Sequence, residues 1–271
     1  MKTILIATDF SPASGNALLY GVALAKSFNA KLILFHAYAL PAPIPSLSVR
    51  ISEYEVMMEM KQQLADHAKL ILKEKAAEIE TVCEIGDPKA AIISIANEKN
   101  ADLIVTGMKG AGKNLKRVLG STATSLTAGT NVPVLIIPEQ AAFKVPDVIA
   151  FASDGSTHPL QEDLDKFKDF KEAFHAKVFV VHVIKKGDAE LLKFTESADA
   201  KQYSDISFEF PVNAHITEGL DAFIKNYQVK MLVMMPHKHD WAERLFRKSE
   251  TKDMIFHTDI PLLILPDIPH G

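Results

Sequence analysis

Residues 103–125 read LIVTGMKGAGKNLKRVLGSTATS. Leu103, Ile104 and Val105 are a short apolar run that fits the end of a buried strand. Thr106 follows, and Gly107, Gly110 and Gly112 fall within six residues. Lys109, Lys113, Lys116 and Arg117 lie among or just after these glycines, and Gly120-Ser121-Thr122 opens a segment that reads as a helix. A strand, a glycine-rich basic loop and a helix start are a physical recipe for holding phosphate. Glycines let the main chain close on an anion and turn its N–H groups inward. The helix N-terminus adds free donors and a partial positive charge, and the Ser121 and Thr122 hydroxyls add hydrogen bonds. The plain alternative is that these glycines only shape a solvent loop.

On either side of this stretch the chain alternates strands and helices. Thr3 to Ala7 reads as a first buried strand. Ser11 and Pro12 then supply an N-cap and a first helical residue. Leu18, Val22 and Ala25 recur at helical spacing, and Lys31 to Ala37 is a second strand. Pro41, Pro43 and Pro45 force an extended connection. A long helical pattern runs from about Ile51 to Ile79, followed by a third strand at Thr81 to Ile85. Gly86-Asp87-Pro88 starts a helix reaching Lys99, Asp102 to Thr106 is a fourth strand and Val132 to Ile137 a fifth. This alternation predicts a parallel sheet with helices on both faces. Right-handed crossovers put the ends of strands one and four on one edge, where ligands bind in such sheets.

The pattern then repeats. VIAFASD (148–154) echoes ILIATD (4–9), and KVFVVHV (177–183) echoes KLILFHA (31–37). Met231-Leu232-Val233 echoes Leu103-Ile104-Val105, and IPLLILP (260–266) echoes VPVLIIP (132–138). The chain therefore reads as a tandem duplication joined near residues 139–145, with domains at 1–139 and 145–271.

Composition sets milder limits. The chain has 271 residues, 48% hydrophobic and 24% charged, which is ordinary globular material divided more naturally into two domains than one. A net charge of −4 gives no general affinity for nucleic acid. The single cysteine, Cys83, excludes an intramolecular disulfide and is compatible with a reducing compartment. The opening MKTILIATDFS is interrupted by Asp9 and lacks a cleavage site, so it reads as a strand and not as a signal peptide. No run of 18 apolar residues is present, so no membrane span and a cytoplasmic location are expected.

Two phosphate-loop patterns compete for the glycine stretch. Gly107, Gly112 and Lys113 fit the P-loop, but Asn114 stands where a magnesium-binding hydroxyl is required. The helix-opening glycine also comes seven residues after Lys113 instead of directly. The other pattern is glycine, two residues, glycine, nine residues, glycine, then serine or threonine. Gly107, Gly110, Gly120 and Ser121 match it without a slip. In this motif, and in the repeated α/β pattern of both halves, the chain resembles the universal stress proteins.

The resemblance implies two flavodoxin- or Rossmann-like doubly wound domains, each a five-stranded parallel sheet of order 3-2-1-4-5. It also implies pairing of the last strands into an internal pseudo-dimer, and a homodimer is compatible with it. That pairing would protect two apolar edges from aggregation. The implied ligand is ATP or a related adenine nucleotide, with magnesium accompanying the phosphates. The implied pocket residues are Thr8, Asp9, Ala37, Thr106, Gly107, Lys109, Gly110, Gly120, Ser121 and Thr122. Ala37 matches the position that contacts adenine in the family. Position alone gives Asp9 two equal roles, a ligand contact or a cap of the next helix.

The second half breaks the motif. Alignment of the fourth strands puts Met235 at the Gly107 position, Lys238 at Gly110 and Lys248 at Gly120, with only Ser249 matching Ser121. Backbone carrying those side chains cannot approach a pyrophosphate in the same way, so this half is expected not to bind ATP in the family manner. Asp154 remains at the Asp9 position. The replacement segment holds His237, His239, Trp241 and Phe246. It reads first as a loop with its aromatics packed inward, then as a site for another anion. A metal site there, with His215 or His182, lacks an identified third ligand.

Leu47, Val49, Ile51, Val56, Met57, Met58 and Met60 are too apolar for a plain loop, and read as core or as a surface for an unknown protein partner. The sequence offers no paired carboxylates, Cys–His arrangement or nucleophile elbow, so no catalytic residue is assigned. A nucleotide-binding stress regulator or sensor is favoured. A slow ATPase and a non-nucleotide scaffold are the alternatives.

Overall fold

The computed structural model describes residues 1–40, 52–72, 79–108, 126, 129–153, 167–184, 206–235 and 259–266. They fall into two compact units that divide at Glu139/Gln140.

The first unit contains β1 (Thr3–Ala7), α1 (Pro12–Phe28), β2 (Lys31–Tyr38), α2 (Glu53–Leu72), β3 (Ile79–Ile85), α3 (Pro88–Glu98), β4 (Leu103–Met108) and β5 (Val134–Pro138). Its strands run in the order β3-β2-β1-β4-β5, all parallel. β1 is central because its residues are apolar on both faces: Ile4, Leu5 and Ile6 are fully buried. Burying each such side chain contributes about 1.5–3 kcal/mol.

Helix α1 begins where the sequence predicts. The Ser11 side chain accepts from Ser14 N at 3.3 Å, and Pro12 takes the first helical position. The helix ends on Asn29 in the left-handed conformation, φ 50°, which asparagine tolerates better than most residues. A Cβ added at Gly21 would lie 2.5 Å from Ile6 Cδ1, so the missing side chain lets α1 lie close against β1. Asp87 caps α3 by accepting from Ala90 N at 3.0 Å, again with proline following.

Several boundaries differ from those read in the sequence. The third strand starts at Ile79 and not Thr81, because Ile79 and Glu80 pair in register with Leu32 and Ile33. The Glu80 carboxylate also meets Lys31 Nζ at 2.5 Å and Lys99 Nζ at 2.9 Å. Helix α2 is described as far as Leu72, and Ile79 belongs to the strand. The fourth strand starts after Asp102, whose carboxylate accepts the N–H groups of Lys2 at 2.5 Å and Thr3 at 2.9 Å, and it continues through Gly107 to Met108. The fifth starts at Val134, since Val132 N is turned onto Thr130 Oγ1 at 3.0 Å.

The second unit contains β6 (Val148–Ala152), α4 (Lys168–Phe174), β7 (Lys177–Val181), β8 (Ile206–Glu209), α5 (Ile216–Asn226), β9 (Met231–Met234) and β10 (Leu262–Ile264). Its parallel strands run β8-β7-β6-β9-β10, the order of the first unit repeated. Phe179, Phe223 and Tyr227 form an aromatic cluster between β7 and α5, with centroids 4.2–5.4 Å apart.

Candidate functional site

In the first unit the ends of β1, β2 and β4 meet at one edge of the sheet. Parallel register sets Ala7 beside Thr106 and beside Phe35. The turn leaving β1 therefore lies between the end of β2 and the start of the glycine stretch.

That turn is tied down from several directions. Thr8 N donates to Phe35 O at 2.9 Å. His36 Nδ1 lies 2.8 Å from Thr8 O. A carbonyl only accepts, so Nδ1 carries the hydrogen in this contact. The buried Thr8 and Ser14 hydroxyls are 3.0 Å apart, and Ser14 Oγ donates to Ser11 O at 2.9 Å. Phe10 N donates to Thr8 Oγ1 at 3.1 Å.

Asp9 stands exposed in this turn, with Oδ1 accepting from Ser11 N at 3.1 Å. Partial burial raises its pKa, but hydrogen bonding from Ser11 and Ser14 outweighs that, so the group titrates below the ordinary carboxylate value. Asp9 is ionised at neutral pH and available as an acceptor. Ser11, not Asp9, is the N-cap of α1; the Asp9 carboxylate shapes the entry to that helix through Ser11 N.

Thr106 is buried, and Ala37 is half-buried near the end of β2, in register with Glu84. Gly107 is paired within β4 to Ile137. A Cβ there would collide with Ala13 O and lie 2.5 Å from Ala13 C and 2.8 Å from Ser14 N. The first turn of α1 occupies the space a side chain would need, so this glycine is required by the protein's own backbone. Lys109, Gly110, Gly120, Ser121 and Thr122 lie outside the described residues, as do Asp154, His237, His239, Trp241, Phe246, Lys238, Lys248 and Ser249.

The second unit repeats the edge with different chemistry. Ser153 N donates to Val181 O at 2.9 Å, and His182 Nδ1 lies 3.0 Å from Ser153 O. These match Thr8, Phe35 and His36. Ala152 pairs with Met234 as Ala7 pairs with Thr106, so the buried Met235 follows at the Gly107 position.

Three contributors were missed in the sequence, two with a weak signal and one with none. Ser14 could have been suspected from its spacing behind Ser11. Phe10 has φ 61°, an unusual backbone for a bulky residue, and its ring lies 4.3 Å from the His36 ring. His67 on α2 approaches Phe10 edge-on at 5.1 Å, and nothing in its helical stretch distinguishes it from a core residue. Burial pushes the His67 pKa down, Asp9 pulls it up and His36 pushes it down again; the net shift is downward. Among the described residues no group of three His, Cys, Asp or Glu side chains is arranged to hold a metal ion.

Residues 1–138 match the universal stress protein family. The chain belongs to that family. Among its relatives are two from Bacillus subtilis. The stress response protein NhaX is 30% identical over 159 residues, covering 49% of this chain and 96% of the relative. The universal stress protein YxiE is 31% identical over 144 residues, covering 49% and 97%. Each relative thus spans about half of this universal stress protein, which is a tandem member. A universal stress protein structure from Archaeoglobus fulgidus covers 97% of this chain and 98% of its own, with TM-score 0.74 at 18% identity, a likeness of fold over both units. Among the described residues no helix is long and apolar enough to cross a membrane.

Proposed function

We propose that the first unit binds ATP or a related adenine nucleotide, with Mg²⁺ accompanying the phosphates, and acts as a stress-response sensor or regulator. The reading rests on one juxtaposition. The motif Gly107, Gly110, Gly120, Ser121 begins within β4, in register with β1, and the exposed, ionised Asp9 lies in the turn that leaves β1 at the same edge. In this reading Asp9 accepts from ribose hydroxyls, and the Ala37 backbone meets the base. Thr8 and Thr106 support the turn and strand ends, while Lys109, Gly110, Gly120, Ser121 and Thr122 hold the phosphates. The second unit, with Met235 at the Gly107 position, does not bind nucleotide this way.

Titration calorimetry of the full chain with ATP and Mg²⁺ tests the proposal. One site per chain, lost in Gly120→Val and weakened in Asp9→Ala, is the expected result. No binding, with melting unchanged by ATP and Mg²⁺, overturns it in favour of a scaffold. Phosphate release lost in both variants would make the protein an ATPase.

A further inference from the structure

Phe10 is gripped between two imidazoles that come from different elements. His36 on β2 lies 4.3 Å away and tilted by 48°, and His67 on α2 lies 5.1 Å away and edge-on. The Phe10 backbone is left-handed, φ 61°, a conformation that persists for an aromatic residue only when its surroundings impose it. Phe10 is the next residue after Asp9, so the packing that holds its ring also holds the backbone of the turn that carries the carboxylate. His67 has a second peculiarity: its Nε2 is buried and has no hydrogen-bond partner among the described residues. A buried polar atom left in this state calls for an explanation.

We propose that His67 is a positioning residue for the nucleotide site of the first unit, acting through Phe10 on Asp9, and that its protonation loosens nucleotide binding. The inference rests on the reading of that site given above. With the ring neutral, its edge packs on Phe10 and leaves Asp9 to Ser11 N and to the ligand. A proton taken up by the ring gives both nitrogens a hydrogen and the ring a charge. That charge interacts with the Asp9 carboxylate and competes with the ligand for it.

Asp9 from the β1–α1 turn and His36 from β2 act on His67, and β3, which also packs against α2, carries Glu80, Cys83 and Glu84. Where α1 meets α2, the apolar Ile71 side chain lies against Gly15. On α2 itself, the neighbouring Asp66 is engaged by Gln62 Nε2 at 2.9 Å and Lys69 Nζ at 3.8 Å.

The test has one arm with nucleotide and one without. Affinity for ATP with Mg²⁺ is measured from pH 8 to pH 5.5 in the full chain and in His67→Phe, which keeps an aromatic edge against Phe10. The wild-type affinity is expected to fall with acidification more steeply than that of the variant, by up to about tenfold per pH unit for one linked proton. His67→Gln serves if the phenylalanine variant does not fold. Parallel pH profiles in wild type and variant overturn the proposal.

In the second arm, imidazole nitrogen shifts are followed by NMR in the ligand-free protein, with Asp9→Asn as the comparison. His67 should titrate at lower pH in Asp9→Asn, since its counter-ion is gone. An unmoved titration overturns the proposal even if ATP binds. A moved titration in a protein that never binds ATP rejects the site reading and leaves the His67–Asp9 coupling standing.

Discussion

Gly107→Ala adds one methyl group at the point where β4 meets the first turn of α1. The new carbon would lie 2.5 Å from Ala13 C and 2.8 Å from Ser14 N, with Ala13 O nearer still. All three are backbone atoms inside a capped helix, so none can rotate away. Relief requires α1 to move by several tenths of an ångström from a sheet to which it is bound by Asn16 Nδ2 on Pro138 O at 2.9 Å. Overpacking of this kind costs about 1–3 kcal/mol, and rigid obstacles place it near 3. At about 2–4 °C per kcal/mol for a chain of this size class, the loss in Tm is roughly 6–12 °C. Gly129→Ala is the matched control. Its Cβ would meet Lys89 Cε at 3.0 Å and Ile93 Cδ1 at 3.3 Å, both ends of flexible side chains. It should cost almost nothing, or gain a few tenths of a kcal/mol from a stiffer unfolded chain. Thermal and urea unfolding of the full chain, with hydrogen exchange at 12–16, measure both variants. Equal stability of the two alanine variants would refute the packing argument, and would return Gly107 to a role set only by a ligand.

Two further predictions follow the same logic. Asp87→Ala removes a cap bond and should cost about 1 kcal/mol. His215→Ala, at the matching position of α5, should cost far less, because His215 makes no side-chain cap bond; urea unfolding of the two variants checks the contrast. The depressed pKa of His67 means the native state binds its proton less readily than the unfolded chain does. Its contribution therefore leaves stability flat above the unfolded value of about 6.5 and lowers it as pH falls below that. Unfolding curves from pH 8 to 5 should be flatter for His67→Leu than for wild type.

The architecture was readable because its signals are local and redundant. Apolar strands, Ser-Pro and Asp-Pro helix starts and a second pass of the same pattern all agreed, and the 3-2-1-4-5 order implied by the family resemblance matches both units. Boundaries were readable only to a few residues. The stretch before Thr81 has helical periodicity, and only pairing of Ile79 with Leu32 gives it to the strand. The candidate site was half readable. Asp9 and the glycine spacing announce themselves, whereas the reason for Gly107 is a helix 94 residues earlier in the chain, at Ala13. His67 was invisible because its meaning depends on what α2 lies against, and no periodicity reports that.

The paired imidazoles His36 and His182 carry a wider consequence. Each clasps the carbonyl that closes the first strand of its unit, at 2.8 Å and 3.0 Å. The glycine pattern is present beside one clasp and missing beside the other. Keeping the rim of a unit in shape and carrying the glycine pattern are thus separate inheritances, held by different residues. A copy without the glycine pattern still keeps a preformed rim, a frame that does not depend on that pattern.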